Sequence, residues 1–263
     1  MNSNTDRHKG PGHWLERLEL LIGNEKMDRL KNSNVLVAGL GGVGAYAAEN
    51  ICRAGVGRMT IADGDIVKPG NINRQLPALH SSVGRAKALL MAERLTDINP
   101  DLRLRVVNGF LNDENLNKLV LSEKFDYVVD AIDTLSPKIY LIYRAIDAGL
   151  PLVSSMGAGG KLDPSRVTVC DISETHNCRL AYILRKRLRK LGVSSGFSVV
   201  FSSEQVDRGA VIAVEGEQNK KSTVGTVSYM PPLFGCYCAS VVIRGLLSLP
   251  GAGGEGPEPG FSI

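Results

Sequence analysis

The chain has 263 residues, and its 43% hydrophobic content is that of a globular protein able to bury a sizeable core. With 31 basic and 27 acidic side chains, its net charge of +4 mildly favours an anionic partner without identifying one. Its five cysteines are an odd number without a pairing pattern, which argues against a disulfide-stabilised secreted domain and favours the reducing cytoplasm.

The N-terminal region divides into a polar tail and a helical segment. Residues 1–13 are polar and lack the apolar segment of a signal peptide, so we expect a disordered tail. Residues 14–31 have helical periodicity, with Gly23 as a break. The apolar side of this segment contains Leu15, Leu18, Leu21 and Ile22. Arg17 also lies here, and its position alone indicates a solvated surface residue.

An apolar strand runs directly into a glycine-rich turn and then into an alanine-rich helix. Gly39, Gly41 and Gly44 form the pattern Gly-x-Gly-x-x-Gly, with Gly42 between them. The three glycines permit a sharp turn, close approach of a ligand, and close packing of helix on strand. Asp63 ends the next strand, where a carboxylate can accept the ribose hydroxyls. The pattern predicts a nucleotide whose phosphates lie at a helix N-terminus.

The loop after Asp63 places several polar side chains at the sheet edge where ligands bind in open parallel sheets. These side chains are Asp65, Asn71, Asn73, Arg74 and Gln75. The next helix is expected over residues 84–98, with Arg85 and Lys87 in its first turn. Cations at that position oppose the helix dipole, so a nearby anion would compensate them.

Strands and helices alternate with short connections from residue 34 to residue 156. Further strands are expected at 102–107, 125–131 and 151–156. This alternation predicts an α/β fold, a Rossmann-like, doubly wound, mainly parallel sheet with helices on both faces. Asp133 follows the strand at 125–131, on the same edge as the glycine turn, where its carboxylate can bind Mg²⁺ that bridges phosphates.

These residues suit ATP better than a dinucleotide. The chain has no Walker P-loop, so the glycine turn and cations would hold the phosphates, and Arg17, Arg74 and Lys87 are available. A dehydrogenase needs a hydride partner and a general acid or base, which is usually histidine. The four histidines lie in the tail or in loops, and none follows a strand in an obvious catalytic place.

The second half of the chain carries a second glycine-rich stretch and a basic helix. Residues 156–164 follow a strand, which favours a ligand-facing loop over a simple bend. Residues 178–191 form an amphipathic helix pattern whose basic side contains Arg179, Arg185, Lys186, Arg187, Arg189 and Lys190. Because no acid occurs between Glu174 and Glu204, both a nucleic-acid footprint and a solvated helix face stay open.

The C-terminal part is expected to cover the substrate side. Strands are predicted at 167–172 and 197–201, and a polar, substrate-facing loop at 205–228. The apolar helix at 229–249 is at the lower limit for a membrane span, and Arg244 favours a buried helix without stable membrane insertion. We expect one domain over 14–250, with a nucleotide-binding core at 34–156, a substrate-side extension at 157–250 and a disordered tail at 251–263.

Several motifs in this order and spacing resemble the ubiquitin-activating-enzyme-like superfamily of adenylating enzymes, which includes the MoeB and ThiF types. They are Gly39–Gly44, Asp63–Asp65, Asn73–Gln75, Val83–Lys87, Ile98–Pro100 and Asp130–Asp133. The resemblance implies an ATP site formed by Gly39, Gly41, Gly42, Gly44, Asp63, Asp65, Asn71, Asn73, Arg74, Gln75, Lys87, Ile132 and Asp133. It also implies that Arg74 and Lys87 bind phosphate, that Asp133 handles Mg²⁺, and that Arg17 reaches across a homodimer to the partner's ATP.

Within that superfamily the chain is more similar to the tRNA threonylcarbamoyladenosine dehydratases. This resemblance is carried by Met156–Pro164, Arg185–Leu188, Val200–Glu204, Gly225–Ser228, Pro231 and Phe234–Gly235. It implies that ATP adenylates the threonyl carboxylate of a modified adenosine beside the tRNA anticodon. The carbamoyl group then attacks internally, AMP leaves, and one water is lost in total.

The cysteines separate this chain from MoeB-type enzymes, which carry two Cys-x-x-Cys pairs for zinc. Cys170, Cys178, Cys236 and Cys238 have the wrong spacing, so we expect no zinc. Cys236 and Cys238 are expected to be core residues rather than nucleophiles.

Two other functions stay open. One is activation of the C-terminus of a ubiquitin-like sulfur-carrier protein, which would make a sulfur-transfer protein a partner. The other is a non-catalytic nucleotide-binding module, against which the intact Arg74, Lys87 and Asp133 argue.

Overall fold

The computed structural model describes residues 12–213 and 222–248. Its main sheet contains β1 Asn34–Ala38, β2 Arg58–Asp63, β3 Arg103–Asn108, β4 Tyr127–Asp130, β5 Leu152–Ser155, β6 Val167–Asp171 and β7 Ser198–Ser202. Their order is β3-β2-β1-β4-β5-β7-β6, and all neighbours are parallel except β6 with β7. This sheet confirms the predicted Rossmann-like α/β fold.

Helices cover both faces of the sheet. They are α1 Glu16–Ile22, α2 Asn24–Asn32, α3 Gly44–Arg53, α4 Lys87–Ile98, α5 Asp113–Leu121, α6 Leu135–Asp147, α7 Arg179–Arg189 and α8 Met230–Leu246. One layer contains α3, α4 and α8, and the other contains α5, α6 and α7. None of the helices within the described ranges is long and apolar enough to cross a membrane.

Strand β1 is the centre of the molecule, and all five of its residues are buried. Val35 and Val37 belong to the apolar cluster on one face, whereas Leu36 and Ala38 belong to the cluster on the other. Successive side chains of a strand point to opposite faces. A continuous apolar run is therefore what a parallel strand covered on both faces requires.

The order of the strands reverses around β1. It pairs with β2 on one side and with β4 on the other. The connection after β1 therefore leads to one side of the sheet, and the connection after β4 leads to the other side. A Cβ added at Gly39 would lie 2.6 Å from the carbonyl oxygen of Ala131, so the turns after these strands touch. In open α/β sheets, ligands bind in the crevice at this position.

Three local predictions need correction. The helix predicted from residue 84 begins only at Lys87, because the backbone of Arg85 and Gly84 pairs with Val67 and holds that segment extended. Arg85 therefore precedes the helix. Leu21, which the periodicity places on the buried side of the first helical segment, is 80% exposed.

The third correction concerns residues 205–228, for which the sequence predicts a loop. Their described parts contain β8 Val211–Ala213 and β9 Ser222–Val224, which pair antiparallel. The predicted break at Gly23 is confirmed, since α1 ends and α2 begins there. The disorder predicted for residues 1–13 and 251–263 falls almost wholly outside the described residues, and the division into core and extension stays a prediction.

Candidate functional site

The glycine turn is packed too closely for side chains. Gly39 has a φ of +89°, which favours glycine, and a Cβ at Gly44 would clash with the carbonyl oxygen of Gly39. At Gly42 a Cβ would lie 2.8 Å from the Cβ of Pro231, so the start of α8 forms one wall. Helix α3 begins at Gly44, and the first N–H groups of a helix have no partner within it. The turn thus forms a cradle for an anion.

Asp63 is held at the end of β2 beside this cradle. Its carboxylate oxygens accept the backbone N–H of Leu40 at 2.6 Å and that of Asp65 at 2.7 Å. Burial raises the pKa of Asp63, and the opposing effects of Lys87 and the two backbone hydrogen bonds do not fully offset it. A carboxylate has about four acceptor positions, so Asp63 retains capacity for ribose hydroxyls.

Lys87 is the first residue of α4, and it is 4% exposed. Its Nζ lies 2.9 Å from a carboxylate oxygen of Asp65, whose side chain is 57% exposed. The ammonium group is thus fixed at the sheet edge by a partner that faces solvent. A buried cation beside an exposed acid is suited to a second anion such as a phosphate.

Arg74 is anchored by its own loop. Its Nη1 donates to the carbonyl of Gly70 at 2.8 Å and to the side-chain oxygen of Asn73 at 2.9 Å. Asn73 also donates to the carbonyl of Thr226 at 2.9 Å, and Asn71 accepts the N–H of Lys68 at 3.0 Å. Asn71 and Asn73 therefore shape the loop that presents Arg74, and contact between them and ATP stays a prediction.

Among the described residues, Gln75 places an unpaired hydrogen-bond acceptor beside the glycine turn. Its side chain is 9% exposed, and its amide nitrogen lies 3.6 Å from the position of a Cβ at Gly41. Within residues 12–213 and 222–248, its Oε1 is buried and accepts no hydrogen bond. Buried polar atoms are rarely left unpaired, so a donor from a bound molecule would fit here.

The turn after β4 is fixed from below by a buried cluster. Asp130 Oδ2 lies 2.7 Å from Lys138 Nζ and accepts the hydroxyl of Ser154 at 2.6 Å. Lys138 also donates to the carbonyl of Ile132 at 3.1 Å, and the N–H of Ile132 donates to Asp130 at 3.2 Å. Asp130, Lys138 and Ser154 are each 0% exposed. The cluster holds Ile132 buried, and Asp133 next to it is exposed at the crevice.

Sequence reasoning missed Lys138 and Ser154. Lys138 is one of two cations in a largely apolar helix, and such a residue usually faces water, so its sequence position gave no signal of burial. It also missed Phe110, which is 75% exposed just after β3. A Cβ at Gly64 would lie 2.5 Å from the backbone nitrogen of Phe110, so the backbone of Phe110 lies against the residue that follows Asp63.

Asp133 is the residue predicted to bind Mg²⁺. In the described part of the chain, no group of three or more His, Cys, Asp or Glu residues is arranged to hold a metal ion. Mg²⁺ in nucleotide sites is commonly held by one or two carboxylates together with the phosphates. The single carboxylate of Asp133 beside the anion cradle is compatible with that arrangement.

The two cysteines of α8 differ. Cys238 is fully buried, as predicted, and burial raises the pKa of its thiol to about 12. Cys236, predicted to lie in the core, is instead exposed, since it lies on the other side of the helix. Its Sγ is 3.7 Å from the side-chain nitrogen of Asn50 on α3.

The second glycine-rich stretch lies on the same edge of the sheet. The N–H of Gly160 donates to the carbonyl of Gly225 at 2.7 Å, and a Cβ at Gly159 would lie 3.1 Å from the hydroxyl of Thr226. Lys161 donates to the carbonyl of Ser202 at 3.3 Å and to that of Glu204. Because Thr226 also accepts from the Arg74 loop, this stretch borders the crevice opposite the glycine turn.

Arg17 lies away from these residues within one chain. Leu15, two residues earlier, packs against Gly55 after the C-terminal end of α3. The glycine turn is at the other end of that helix, which has 10 residues and is therefore about 15 Å long. Arg17 is exposed at this place, away from the glycine turn of its own chain.

Helix α7 exposes most of the predicted basic side. Ala181, Leu184 and Leu188 are buried in the apolar cluster on that face of the sheet. The exposed cations are Arg179, Lys186, Arg187, Arg189 and Lys190. Arg185 departs from the prediction, because it is half-buried and donates to the carbonyl of Thr175 at 2.7 Å and to its hydroxyl. It therefore holds the segment before the helix.

The N-terminal end of α7 lies at the edge of the crevice. Asn177 donates to the carbonyl of Ser203, just beyond the end of β7. Gly196, after the helix, donates to Asp171 of β6, which pairs with the first residue of β7 at the opposite edge of the sheet. The exposed cations thus begin at the site edge and continue along the outer side of the molecule.

Residues 15–257 match the model of the ThiF family. The chain is 45% identical over 192 residues to the tRNA threonylcarbamoyladenosine dehydratase of Bacillus subtilis (strain 168), covering 73% of this chain and 75% of that protein. The crystal structure of E. coli tRNA N6-threonylcarbamoyladenosine dehydratase in complex with ATP has a TM-score of 0.81 at 33% identity, covering 94% of this chain and 97% of that one. Molybdopterin-synthase adenylyltransferase of Escherichia coli (strain K12) is 34% identical over 151 residues, 57% of this chain and 59% of that protein.

Proposed function

The chain belongs to the ThiF family, and on this premise we propose that it uses ATP to dehydrate threonylcarbamoyladenosine in tRNA. The observation that carries the proposal is the crevice between β1 and β4. It brings the anion cradle, Asp63, Lys87 and the Arg74 loop to one side, and residues 157–162 to the other. One wall thus suits ATP, and the second leaves room for another substrate at the same edge.

Dehydration of this nucleoside requires activation of its carboxylate. A free carboxylate is a poor electrophile, because its charge repels nucleophiles and hydroxide is a poor leaving group. A carboxylate oxygen attacks the α-phosphorus of ATP, and pyrophosphate leaves. The carbamoyl group then attacks the activated carbonyl carbon, the ring closes, and AMP leaves.

The protein contributes positioning and charge stabilisation to both steps. The turn at Gly41–Gly44 binds phosphate through backbone N–H groups, and Asp63 binds the ribose. Arg74 and Lys87 stabilise the negative charge that develops on the phosphates as the adenylyl group is transferred and pyrophosphate leaves. Asp133 would hold Mg²⁺, which when bound supplies positive charge to the phosphates.

A direct experiment tests this function. The protein is incubated with ATP, Mg²⁺ and tRNA that carries threonylcarbamoyladenosine, and the nucleoside is analysed by mass spectrometry. We expect a product lighter by one water, formed together with AMP and pyrophosphate. An unchanged nucleoside, with full ATP binding, would rule the proposal out.

A homodimer is the second part of the proposal. Two observations support it: Arg17 is remote from the site of its own chain, and Trp14, Leu20 and Leu21 leave an apolar surface beside it, at 42%, 82% and 80% exposure. Leucines exposed to this degree on adjacent positions commonly mark an interface. We therefore propose that Arg17 acts in the site of the partner subunit.

Mixing two inactive variants tests the dimer. Arg17→Ala and Asp133→Asn should each lose activity alone. Random exchange of subunits makes about half of the dimers mixed, and each of these has one intact site, so activity should return to about a quarter of the wild-type value. No recovery after verified subunit exchange would place Arg17 outside the partner's site.

Activation of a sulfur-carrier protein is the second candidate, and the similarity to molybdopterin-synthase adenylyltransferase favours it. That similarity covers less of this chain than the similarity to the dehydratases does. The two functions differ in their trigger. A sulfur-carrier activator would exchange pyrophosphate only when a carrier protein is added, whereas the dehydratase needs only the modified tRNA. We propose that the reaction takes place in the cytoplasm, in keeping with five free cysteines.

A further inference from the structure

An aromatic ring stands among the exposed cations of α7. Tyr182 is 59% exposed, and with Ile183, Lys186, Arg187 and Lys190 it lines a surface groove of about 520 Å³. We call these five residues the α7 groove. The proposed chemistry does not use Tyr182, and the predicted basic side does not include it. We propose that the α7 groove binds an unpaired nucleotide of RNA, with the base stacked on Tyr182 and the phosphates on the lysines and arginine.

Helix geometry makes these side chains one surface. Tyr182, Lys186 and Lys190 are four residues apart, and Ile183 and Arg187 repeat that spacing in the adjacent row. Residues four apart lie on the same face of a helix, with about 6 Å of rise between them. The ring is therefore continuous with two lysines along one row. A neighbouring row adds an apolar contact and a guanidinium group.

The chemistry of the α7 groove selects nucleic acid. Single-stranded binding surfaces combine cations that follow the phosphates with aromatic rings on which bases stack. The nearest acids in the sequence are Glu174 and Glu204, so no carboxylate on α7 itself opposes a phosphate. A groove of this volume is also large enough for a base.

The position of the α7 groove agrees with the substrate proposed above, on which this inference rests. Tyr182 lies in the first turn of α7, toward the edge of the crevice, and Lys190 lies toward the opposite edge of the sheet. If the modified nucleotide is bound in the crevice, the RNA residues adjacent to it would lie near Tyr182. Unpaired bases occur in the loops of RNA, so Tyr182 would bind a base beside the modified one.

Two variants separate stacking from charge. Tyr182→Leu keeps an apolar side chain but loses the ring, and we expect about 10- to 100-fold weaker binding of the modified tRNA with an unchanged salt slope. Tyr182→Phe keeps the ring and should bind like the wild type. Lys186→Ala should weaken binding and lower the slope of log K against log salt by about 0.7 to 0.9. Equal losses in the Phe and Leu variants, or none in either, would overturn stacking.

A fluorescent variant reports the contact itself. Trp14 is the sole tryptophan of the chain, so Trp14→Phe with Tyr182→Trp places one reporter in the groove. We expect an RNA stem-loop to quench the fluorescence of this tryptophan. A blunt RNA duplex of equal charge should leave the fluorescence unchanged at the same fractional occupancy. Equal quenching by both, or quenching by a glutamate-rich peptide of matched charge, would overturn the assignment to unpaired RNA.

The outcome is separable from that of the proposed function. If the stem-loop quenches the reporter in the groove but no nucleoside loses water, the α7 groove is an RNA site. The dehydratase proposal fails in that case. Should the nucleoside lose water while Tyr182→Leu binds tRNA normally, the dehydratase stands and the inference about Tyr182 fails.

Discussion

Lys138→Met is expected to lower the free energy of unfolding by about 3 to 5 kcal/mol, the usual effect of removing one partner of a buried ion pair. The substitution keeps most of the side-chain volume, so the effect would come from charge. Asp130, which is 0% exposed, would keep the hydroxyl of Ser154 and the N–H of Ile132 as hydrogen-bond donors but would lose its cation. Urea denaturation followed by circular dichroism measures the change.

Two controls isolate the buried pair. Lys118→Met removes an exposed lysine that lies 2.7 Å from Glu114, and pairs of this kind contribute about 0 to 1 kcal/mol. Asp130→Asn combined with Lys138→Met removes both charges, and it should recover part of the lost stability. If the double variant is less stable than Lys138→Met alone, the ion pair is not the cause.

The same cluster explains how the backbone at Asp133 is positioned in the crevice. Lys138 holds the carbonyl of Ile132, and Asp130 accepts the N–H of Ile132. Asp133 is the next residue, so these two hydrogen bonds also fix the backbone position of Asp133. A folded double variant should therefore bind ATP–Mg²⁺ less tightly, while a stable Lys118→Met protein should not change.

Sequence patterns located the crevice because its determinants are local. The glycines of the turn are dictated by backbone geometry, and the all-apolar β1 by burial on both faces. Asp63 is the last residue of β2 and Asp133 follows the end of β4, and parallel strands bring those ends to one edge. These rules need no knowledge of distant contacts, so the alternation of strands and helices from residue 34 to residue 156 could be predicted from the sequence.

Residues whose partners are distant in sequence could not be found this way. Arg185 repeats the pattern of its basic neighbours, and only the folded chain shows that it turns back to Thr175. Ser154 is an ordinary strand residue until β5 pairs with β4 and brings it to Asp130. The short strands β8 and β9 lack an apolar alternation, so only their pairing identifies them.

Lys87→Met is expected to lower the rate of AMP formation by about 10²- to 10³-fold, the usual cost of removing one preorganised group that stabilises developing charge. Lys87 is 4% exposed at the start of α4, where its ammonium lies 2.9 Å from Asp65. Water cannot easily replace a charge at such a site. Single-turnover reactions with ATP and modified tRNA would measure the chemical step without product release.

Arg85→Met is the matched control for this prediction. Arg85 is a cation two residues earlier, it is exposed, and its guanidinium lies 2.5 Å from Glu93 on the outer side of α4. If general electrostatic attraction for ATP were the important effect, both variants would slow AMP formation to the same extent. High salt would then remove the deficit of each variant relative to the wild type. If Lys87 acts at the phosphate, only Lys87→Met slows AMP formation, and the deficit persists at high salt because the group is buried.

Asp65→Asn completes the argument by separating the cation from its partner. It removes the exposed carboxylate but leaves Lys87 charged beside the glycine turn. Its effect on AMP formation should be much smaller than that of Lys87→Met. A deficit as large as that of Lys87→Met would mean that the ion pair, rather than the lysine charge at the phosphate, is what the reaction requires.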